Sequence, residues 1–140
     1  MLQNSSLKKP CILTFGYGNR KDYSLLSSYL EIYQVRCVVD VRMTPRAWTR
    51  RWYGEQVKLF CESQSVRYLS KTELGNTSGQ KYWIPPDRQQ ADAALQEVAK
   101  IARENAVLLL CSEMNPQRCH RVEVSESLRD LIEASIIHLE

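Results

Sequence analysis

Residues 111–121 concentrate side chains that can do chemistry. The segment combines two thiols, a carboxylate, an imidazole and two guanidinium groups. Thiols and imidazoles act as nucleophiles, proton carriers and metal ligands, and guanidinium groups bind anions. Packing requirements do not account for this density, so the segment is the leading candidate for a functional site.

The segment lies between a predicted strand and a predicted helix. Residues 106–110 form a continuous apolar run, which is typical of a strand buried on both faces of a parallel sheet. Cys111 therefore stands at the carboxyl end of that strand. Asn115 can cap a helix and Pro116 suits its first position, which predicts a helix through Ile132 or a little further.

Cys119 and His120 fall in the first turns of this predicted helix. The positive end of the helix dipole, together with Arg118 and Arg121, would favour a thiolate or a bound anion there. Ligands of open α/β sheets bind outside the carboxyl ends of the strands. The segment is thus placed where a site is expected.

Strands and helices alternate along the rest of the chain. This alternation predicts a three-layer α/β/α sandwich with a mostly parallel, roughly five-stranded sheet. Residues 72–89, with two glycines and two prolines, are predicted to form a long loop. The predicted strands are residues 11–15, 37–41, 66–69 and 106–110, with a candidate fifth at 135–139, and the other predicted helices are residues 22–33, 54–63 and 91–104.

Length and composition bound the class of protein. A chain of 140 residues with 44% hydrophobic and 25% charged residues suits one globular domain over residues 1–140. No apolar stretch is long enough to span a bilayer, and residues 1–10 lack a signal-peptide core, so we expect a cytoplasmic protein without membrane contact. Five cysteines favour reduced thiols over a disulfide framework, with Cys11, Cys37 and Cys61 as small core residues.

A basic aromatic segment follows the second predicted strand. Residues 42–53 contain four arginines, three aromatic residues and no acid, although the formal charge of the whole chain is only +3. Arginines interleaved with aromatics suit a nucleotide or single-stranded nucleic acid, with Trp48 and Arg50 among the candidate contacts. Alternatively, this is a solvated loop whose tryptophans cover the edge of the sheet.

Two shorter patterns lie at other predicted strand ends. Gly16 and Gly18 resemble half of a phosphate-cradling turn, but Lys21 stands where its third glycine would be, and a simple tight turn explains the glycines equally. Asp40 and Arg42 flank one residue and point to the same face of an extended chain. They could form a structural ion pair or orient a substrate.

Several kinds of chemistry remain open for Cys111, Cys119 and His120. They could supply a nucleophilic thiolate, ligate a metal, or help bind an anion. Zinc would need Glu113 or His138 as a further ligand, and the spacing of the cysteines is longer than in common zinc motifs. A phosphatase-like loop does not fit, because its arginine would fall at residue 117. The alternative without function is that both cysteines simply pack in the core.

Motifs spread along nearly the whole chain resemble the domain of unknown function 488 family. The resemblance implies a compact α/β fold and little chemistry, because the activity of the family is not established. Residues of this chain that carry the resemblance are Thr14-Phe15-Gly16-Tyr17-Gly18-Asn19-Arg20, Val38-Val39-Asp40-Val41-Arg42 with Pro45, Tyr68, Leu74-Gly75, Leu110-Cys111-Ser112-Glu113 with Pro116, and Cys119-His120-Arg121.

The chain departs from the family pattern at three positions. Members often have histidine and serine in place of Tyr17 and Gly18, and a second glycine in place of Asn76. If the missing histidine were a catalytic or metal partner, this member would be altered or inactive.

These observations lead us to expect an enzyme, a hydrolase or a transferase, that binds an anionic, nucleotide-like or nucleic-acid substrate at the carboxyl edge of the sheet. Alternatives are a non-catalytic nucleic-acid-binding module built on the segment 42–53 and a zinc-binding structural protein. No cofactor is required by the sequence, and no metal ligands are assigned. The candidate catalytic residues are Cys111, Glu113, Cys119, His120 and Asp40. Among them, Cys111 or Cys119 would be the nucleophile, Glu113 or Asp40 the general base, and His120 the proton carrier. The candidate substrate-binding residues are Gly16, Asn19, Arg20, Arg42, Arg121, Trp48 and Arg50.

Overall fold

One five-stranded sheet organises the described part of the chain, residues 10–113 and 119–139 of a computed structural model. The sheet order is β3-β2-β4-β1-β5, and every neighbouring pair is parallel. The fold class predicted from the sequence is therefore confirmed. The strands are β1 (Cys11–Gly16), β2 (Val35–Asp40), β3 (Arg67–Ser70), β4 (Ala106–Cys111) and β5 (Ser135–His138).

Helices cover both faces of the sheet. One core cluster packs α3 and α4 against one face, and a second packs α1 and α2 against the other. β4 lies at the centre, where Leu108 and Leu110 face one cluster and Val107 and Leu109 face the other. The described helices are α1 (Ser24–Ile32), α2 (Gly54–Ser63), α3 (Arg88–Ala102) and α4 (Arg121–Ile132), with 3-10 turns at Arg50–Trp52 and Thr72–Leu74.

The cysteines outside the candidate segment differ in burial. Cys37 on β2 and Cys61 on α2 are buried in opposite clusters, as core residues should be, whereas Cys11 on β1 is half-buried. Burial raises the pKa of the Cys37 thiol to about 11 and that of the Cys61 thiol to about 12. Thiols with such pKa values are protonated and unreactive at neutral pH.

The last helix begins later than the sequence suggests. Its predicted cap and first position, Asn115 and Pro116, lie outside the described residues, and the described helix starts at Arg121. Cys119 and His120 thus precede α4 and are not in its first turns, so that prediction is wrong. The Cys119 sulfur accepts a hydrogen bond from the Arg121 N–H at 3.4 Å. This bond gives a partner to one of the backbone N–H groups that have none within the helix at its first turn.

Other boundaries shift by one to three residues. α1 begins at Ser24 because the Asp22 carboxylate accepts hydrogen bonds from the N–H and the hydroxyl of Ser24. α3 begins at Arg88 because Asp87 caps it by accepting from the Gln90 N–H. None of the helices in the described ranges is long and apolar enough to cross a membrane.

Gly16, at the end of β1, packs directly against the backbone that follows β4. A Cβ atom added there would lie 1.7 Å from the Glu113 carbonyl oxygen. We expect Gly16→Ala to lower the free energy of unfolding by about 3 kcal/mol, because backbone cannot move aside cheaply. Urea unfolding followed by circular dichroism measures the loss.

Gly79→Ala is the matched control for this prediction. Gly79 has a φ of +70° but nothing within 4 Å of an added Cβ, so its replacement adds conformational strain alone. We expect a loss of about 1 kcal/mol there. Equal losses in the two variants would show that the close approach at Gly16 has no energetic weight.

Candidate functional site

The carboxyl ends of β1, β2 and β4 meet at one edge of the sheet, where backbone hydrogen bonds continue beyond the strands. The Tyr17 N–H donates to the Cys111 carbonyl at 3.1 Å, and the Gly18 N–H donates to the Ser112 carbonyl at 2.8 Å. On the other side of β4, the Val41 N–H donates to the Leu110 carbonyl at 3.1 Å. These bonds hold the three strand ends together at the edge where α/β proteins bind ligands.

Cys111 and Cys119 are in direct contact at this edge. Cys111 is the last residue of β4, and Cys119 donates a hydrogen bond from its thiol to the Cys111 sulfur, with the sulfurs 2.6 Å apart. Both side chains are buried, yet both line a cavity of about 310 Å³. The fold therefore brings together two of the predicted catalytic residues.

His120 is oriented by two backbone carbonyl groups. Its Nε2 lies 3.0 Å from both the Val41 and the Leu74 carbonyl oxygens. Because carbonyl oxygens only accept hydrogen bonds, Nε2 must carry a proton. Nδ1 then faces the thiols, 3.8 Å from the Cys119 sulfur.

Contacts among Cys111, Cys119 and His120 shift the pKa values of all three side chains. The hydrogen bond from Cys119 holds the pKa of the Cys111 thiol well below its usual range, and His120 adds to this effect against the opposing effect of burial. The same sulfur contact and burial raise the pKa of Cys119. Burial opposes the charged form of His120, but its interaction with Cys111 raises its pKa. The arrangement favours a Cys111 thiolate between a thiol and an imidazolium.

Asp40 and Arg42 form a fully engaged buried ion pair. The Arg42 Nε donates to Oδ1 of Asp40 at 2.8 Å, and Nη2 donates to Oδ2 at 2.6 Å. Oδ2 also accepts from the Tyr68 hydroxyl at 2.5 Å. Of the two uses considered for this pair, the structural ion pair is thus present, and Asp40 is fully buried.

Arg42 also links the site to the turn after β1 and to the loop after β2. Its Nη1 donates to the Tyr17 hydroxyl at 3.2 Å and to the Trp52 carbonyl at 2.7 Å. The Tyr17 ring stacks on Trp52, with centroids 4.7 Å apart and planes inclined by 9°. Tyr17 was not singled out as a site residue from the sequence, although its place directly after the end of β1 is the signal that could have identified it.

The aromatic residues of the segment 42–53 divide into two roles. Trp52 is buried and donates through Nε1 to the Arg20 carbonyl at 2.9 Å, so it covers the sheet edge. Trp48 is fully exposed. The guanidinium groups of Arg46 and Arg50 lie over the Tyr53 ring, 5.0 Å and 6.0 Å from its centroid.

A second, larger cavity adjoins the first. It has a volume of about 900 Å³, and Asn19, Arg20 and Trp48 line it. Arg46, Ser112 and Glu113 line both cavities, so the two form one cleft. Lys21 and Arg51 line the larger cavity as well, while Arg42 lines the smaller one, which makes the cleft predominantly cationic.

Of the remaining predicted binding residues, Arg121 and Gly16 support the walls of this cleft, whereas Arg50 is not among the residues that line either cavity. Arg121 is fully buried, and its Nη1 donates to the Glu113 carbonyl at 2.5 Å. Gly16 packs against the same carbonyl group. Glu113 itself has an exposed side chain at the junction of the two cavities.

Cys111, Cys119 and His120 are residue types that bind metals, and their donor atoms lie within 4.8 Å of one another. Two sulfurs bound to one tetrahedral zinc ion stand about 3.8 Å apart, given Zn–S bonds of about 2.3 Å. The observed 2.6 Å is much shorter, so the arrangement does not fit zinc as it stands. His138, considered as a further ligand, lies on β5 with Nδ1 at 2.7 Å from the Thr14 hydroxyl.

The buried ion pair predicts a large effect of neutralising one partner. Asp40→Asn should lower the free energy of unfolding by about 3–5 kcal/mol, because the Arg42 guanidinium would remain buried without a compensating charge. Chemical unfolding measures the effect. Asp92→Asn is the control, since the Arg88–Asp92 pair is exposed and its loss should cost less than about 1 kcal/mol. Similar losses in both variants would contradict a structural role for the buried pair.

Comparison with known proteins places the chain in a family. The model of the family described as Domain of unknown function DUF488 matches residues 24–128, a range that includes Asp40, Arg42, and the cysteine and histidine residues of the cleft. No curated protein and no solved structure gives a significant match. Because the match spans more than half of the chain, the protein belongs to the DUF488 family.

Proposed function

We propose that the protein is an enzyme in which the Cys111 thiolate attacks an anionic, nucleotide-like substrate bound in the cationic cleft. The observation that carries this proposal is the contact of Cys111 with Cys119, whose sulfur lies 3.8 Å from Nδ1 of His120, at a cavity that opens into that cleft. A thiolate is the reactive form of cysteine, and a neighbouring imidazole is a common means of producing it.

The environment of Cys111 argues against simple core packing. Cys111 belongs to the same core cluster as Cys37, but it also has polar neighbours. These neighbours are a second thiol and an imidazole whose Nδ1 is aimed at the sulfurs by two carbonyl groups. Orienting the second nitrogen of a histidine through backbone contacts is what fixes the tautomer in catalytic histidines.

The neighbouring groups can complete a two-step transfer. In the first step, Cys111 forms a bond to the electrophilic centre of the substrate, and the leaving group departs with the proton from Nδ1 of His120. In the second step, water or another acceptor loses a proton to Glu113, attacks the same centre and releases the Cys111 thiolate. Glu113 suits the role of base because its exposed carboxylate stands at the junction of the two cavities. Asp40 acts through Arg42 as a positioning residue.

Size and charge of the cleft favour a nucleotide-like ligand. The larger cavity, at about 900 Å³, is within the range of small-molecule sites. Arg20, Lys21 and Arg46 can neutralise phosphate groups, and the exposed face of Trp48 can stack on a base. The same exposed tryptophan favours the second candidate function, a non-catalytic module for single-stranded nucleic acid.

The reactivity of Cys111 toward iodoacetamide tests the thiolate. The rate is measured in a series of buffers from about pH 5 to pH 9. We expect Cys111 to be alkylated already at pH values well below the ordinary thiol pKa of about 8.5, because its lowered pKa keeps the sulfur in the thiolate form. Cys11, whose pKa is raised by burial, should react only at higher pH. Peptide mass spectrometry measures both rates in one sample.

Replacement of His120 completes this test. His120→Asn should move the pH midpoint of Cys111 alkylation upward, because the imidazolium no longer stabilises the thiolate. His138→Asn is the control, since His138 lies on the edge strand β5 and contacts Thr14. An ordinary thiol midpoint for Cys111 that neither variant moves would contradict the proposal, as would a protein purified with stoichiometric zinc in which Cys111 reacts only after chelation.

A ligand-binding experiment tests the cleft. We expect a fluorescently labelled single-stranded DNA dodecamer and adenosine monophosphate to bind more weakly as salt rises, because phosphate contacts release counterions. Trp48→Ala should weaken binding of the dodecamer about tenfold, since stacking on one base contributes about 1–3 kcal/mol. Fluorescence anisotropy measures the labelled strand directly and the nucleotide by competition.

Controls at the opposite edge of the sheet make this result specific. Arg46→Ala should reduce the slope of log binding constant against log salt concentration by about one unit. Arg36 is an exposed arginine near the start of β2, and Arg36→Ala should leave this slope unchanged. Ile32→Ala is the control for Trp48 as an exposed apolar residue. The bound ligand should also protect Cys111 from alkylation, and binding without protection would favour the non-catalytic module.

A further inference from the structure

We propose that Cys111 and Cys119 are a site of reversible oxidation, at which a hydroperoxide converts the two thiols into an intramolecular disulfide. This inference rests on the proposed function only for its consequence, the removal of the Cys111 nucleophile. Its physical basis is the direct contact of the two sulfurs.

This contact is particular to one pair among the five cysteines, all of which lie in the described part of the chain. Cys37 and Cys61 are buried in clusters on opposite faces of the sheet, and Cys11 lies in β1. Only thiols whose backbones already approach each other can be joined without distortion. Cys111 and Cys119 satisfy this condition, because their sulfurs are 2.6 Å apart although neither residue is in a disulfide.

Cys111 and Cys119 are also the cysteines most susceptible to oxidation, because of their access and the thiolate character of Cys111. Both residues line the 310 Å³ cavity, so a small oxidant can reach them despite their burial. Oxidation of cysteine follows thiolate character and access, and a thiol beside the oxidised residue resolves the first product. The raised pKa values of Cys37 and Cys61, about 11 and 12, leave those thiols protonated and slow to oxidise.

The reaction proceeds in two balanced steps. The Cys111 thiolate attacks one peroxide oxygen, so an S–O bond forms, the O–O bond breaks, and the departing alkoxide or hydroxide takes a proton from the medium or from His120. The Cys119 sulfur then attacks the sulfenic acid on Cys111, forming the S–S bond and breaking the S–O bond. The Cys119 proton and the hydroxyl group leave as water. Two thiols are oxidised by two electrons, the peroxide is reduced, and an external dithiol reverses the change.

The short separation in sequence favours closure of the bond. Seven residues separate the two cysteines, so the loop closed by the disulfide is small and its closure costs little conformational entropy. Glu113, the proposed base, lies within that loop. Oxidation therefore joins the end of β4 to the segment before α4 and removes the thiolate at the same time.

Titration of the reduced full-length protein with hydrogen peroxide tests this inference. After one equivalent, thiol counting in denaturant should show the loss of two of the five free thiols, and the intact mass should fall by about 2 Da as two hydrogens leave. Peptide mapping should join Cys111 to Cys119, and dithiothreitol should restore all five thiols.

Two variants separate this pair from the other cysteines. Cys119→Ser should accumulate a sulfenic acid at Cys111 that reacts with dimedone, because the resolving thiol is absent. Cys11→Ser, the matched control, should still lose two thiols and form the same cross-link. A disulfide that forms equally in Cys119→Ser and the wild type would overturn the inference, as would five intact thiols after peroxide treatment of the folded wild type.

The outcome is distinguishable from that of the proposed function. A Cys111 that alkylates at low pH but forms no disulfide with Cys119 would overturn this inference and leave the nucleophile in place. A disulfide that forms in a protein whose cleft binds no nucleotide or DNA would support the oxidation site while removing support for the proposed substrate.

Discussion

The buried guanidinium of Arg42 connects three strand ends and the loop after β2. It binds the Asp40 carboxylate at the end of β2 with two nitrogens and reaches the Tyr17 hydroxyl beyond β1 and the Trp52 carbonyl with the third. Tyr68 joins the same carboxylate from β3. A buried charge is tolerated only when such contacts replace its hydration, so each partner depends on the others.

This constraint shapes the cleft. The chain leaves β2 at the ion pair and must return to place Trp52 against Tyr17, so the residues between them form a loop anchored at both ends. An anchored loop can hold Arg46 and the exposed Trp48 at the rim of a cavity without packing them away. The ion pair therefore supports the proposed binding surface through backbone contacts, while its own carboxylate stays buried.

At the thiol site, too, some groups hold the reactive side chains in place and others react. Carbonyl groups that follow β2 and close the 3-10 turn at Thr72–Leu74 fix the ring of His120, and this leaves one nitrogen for the sulfurs. Cys119 donates a hydrogen bond to the Cys111 sulfur, which lowers the pKa of Cys111 and raises that of Cys119. The same contact that stabilises a thiolate also places a second sulfur within bonding reach, which links the proposed catalysis to the proposed oxidation.

Residue patterns were enough to predict the fold class and most of the strands and helices, although not the start of the last helix. The apolar run before Cys111 and the alternation of strands with helices were sufficient to predict a parallel three-layer fold, because burial on both faces of a sheet leaves an apolar run in its central strands. That strands end at one edge also follows from the class, so Cys111, Asp40 and the turn after β1 could be expected near one another. The burial of Trp52, the exposure of Trp48 and the approach of His120 to the cysteines from outside α4 could not be predicted in this way. Such outcomes depend on contacts between residues far apart in the chain, and local residue patterns carry no record of those contacts.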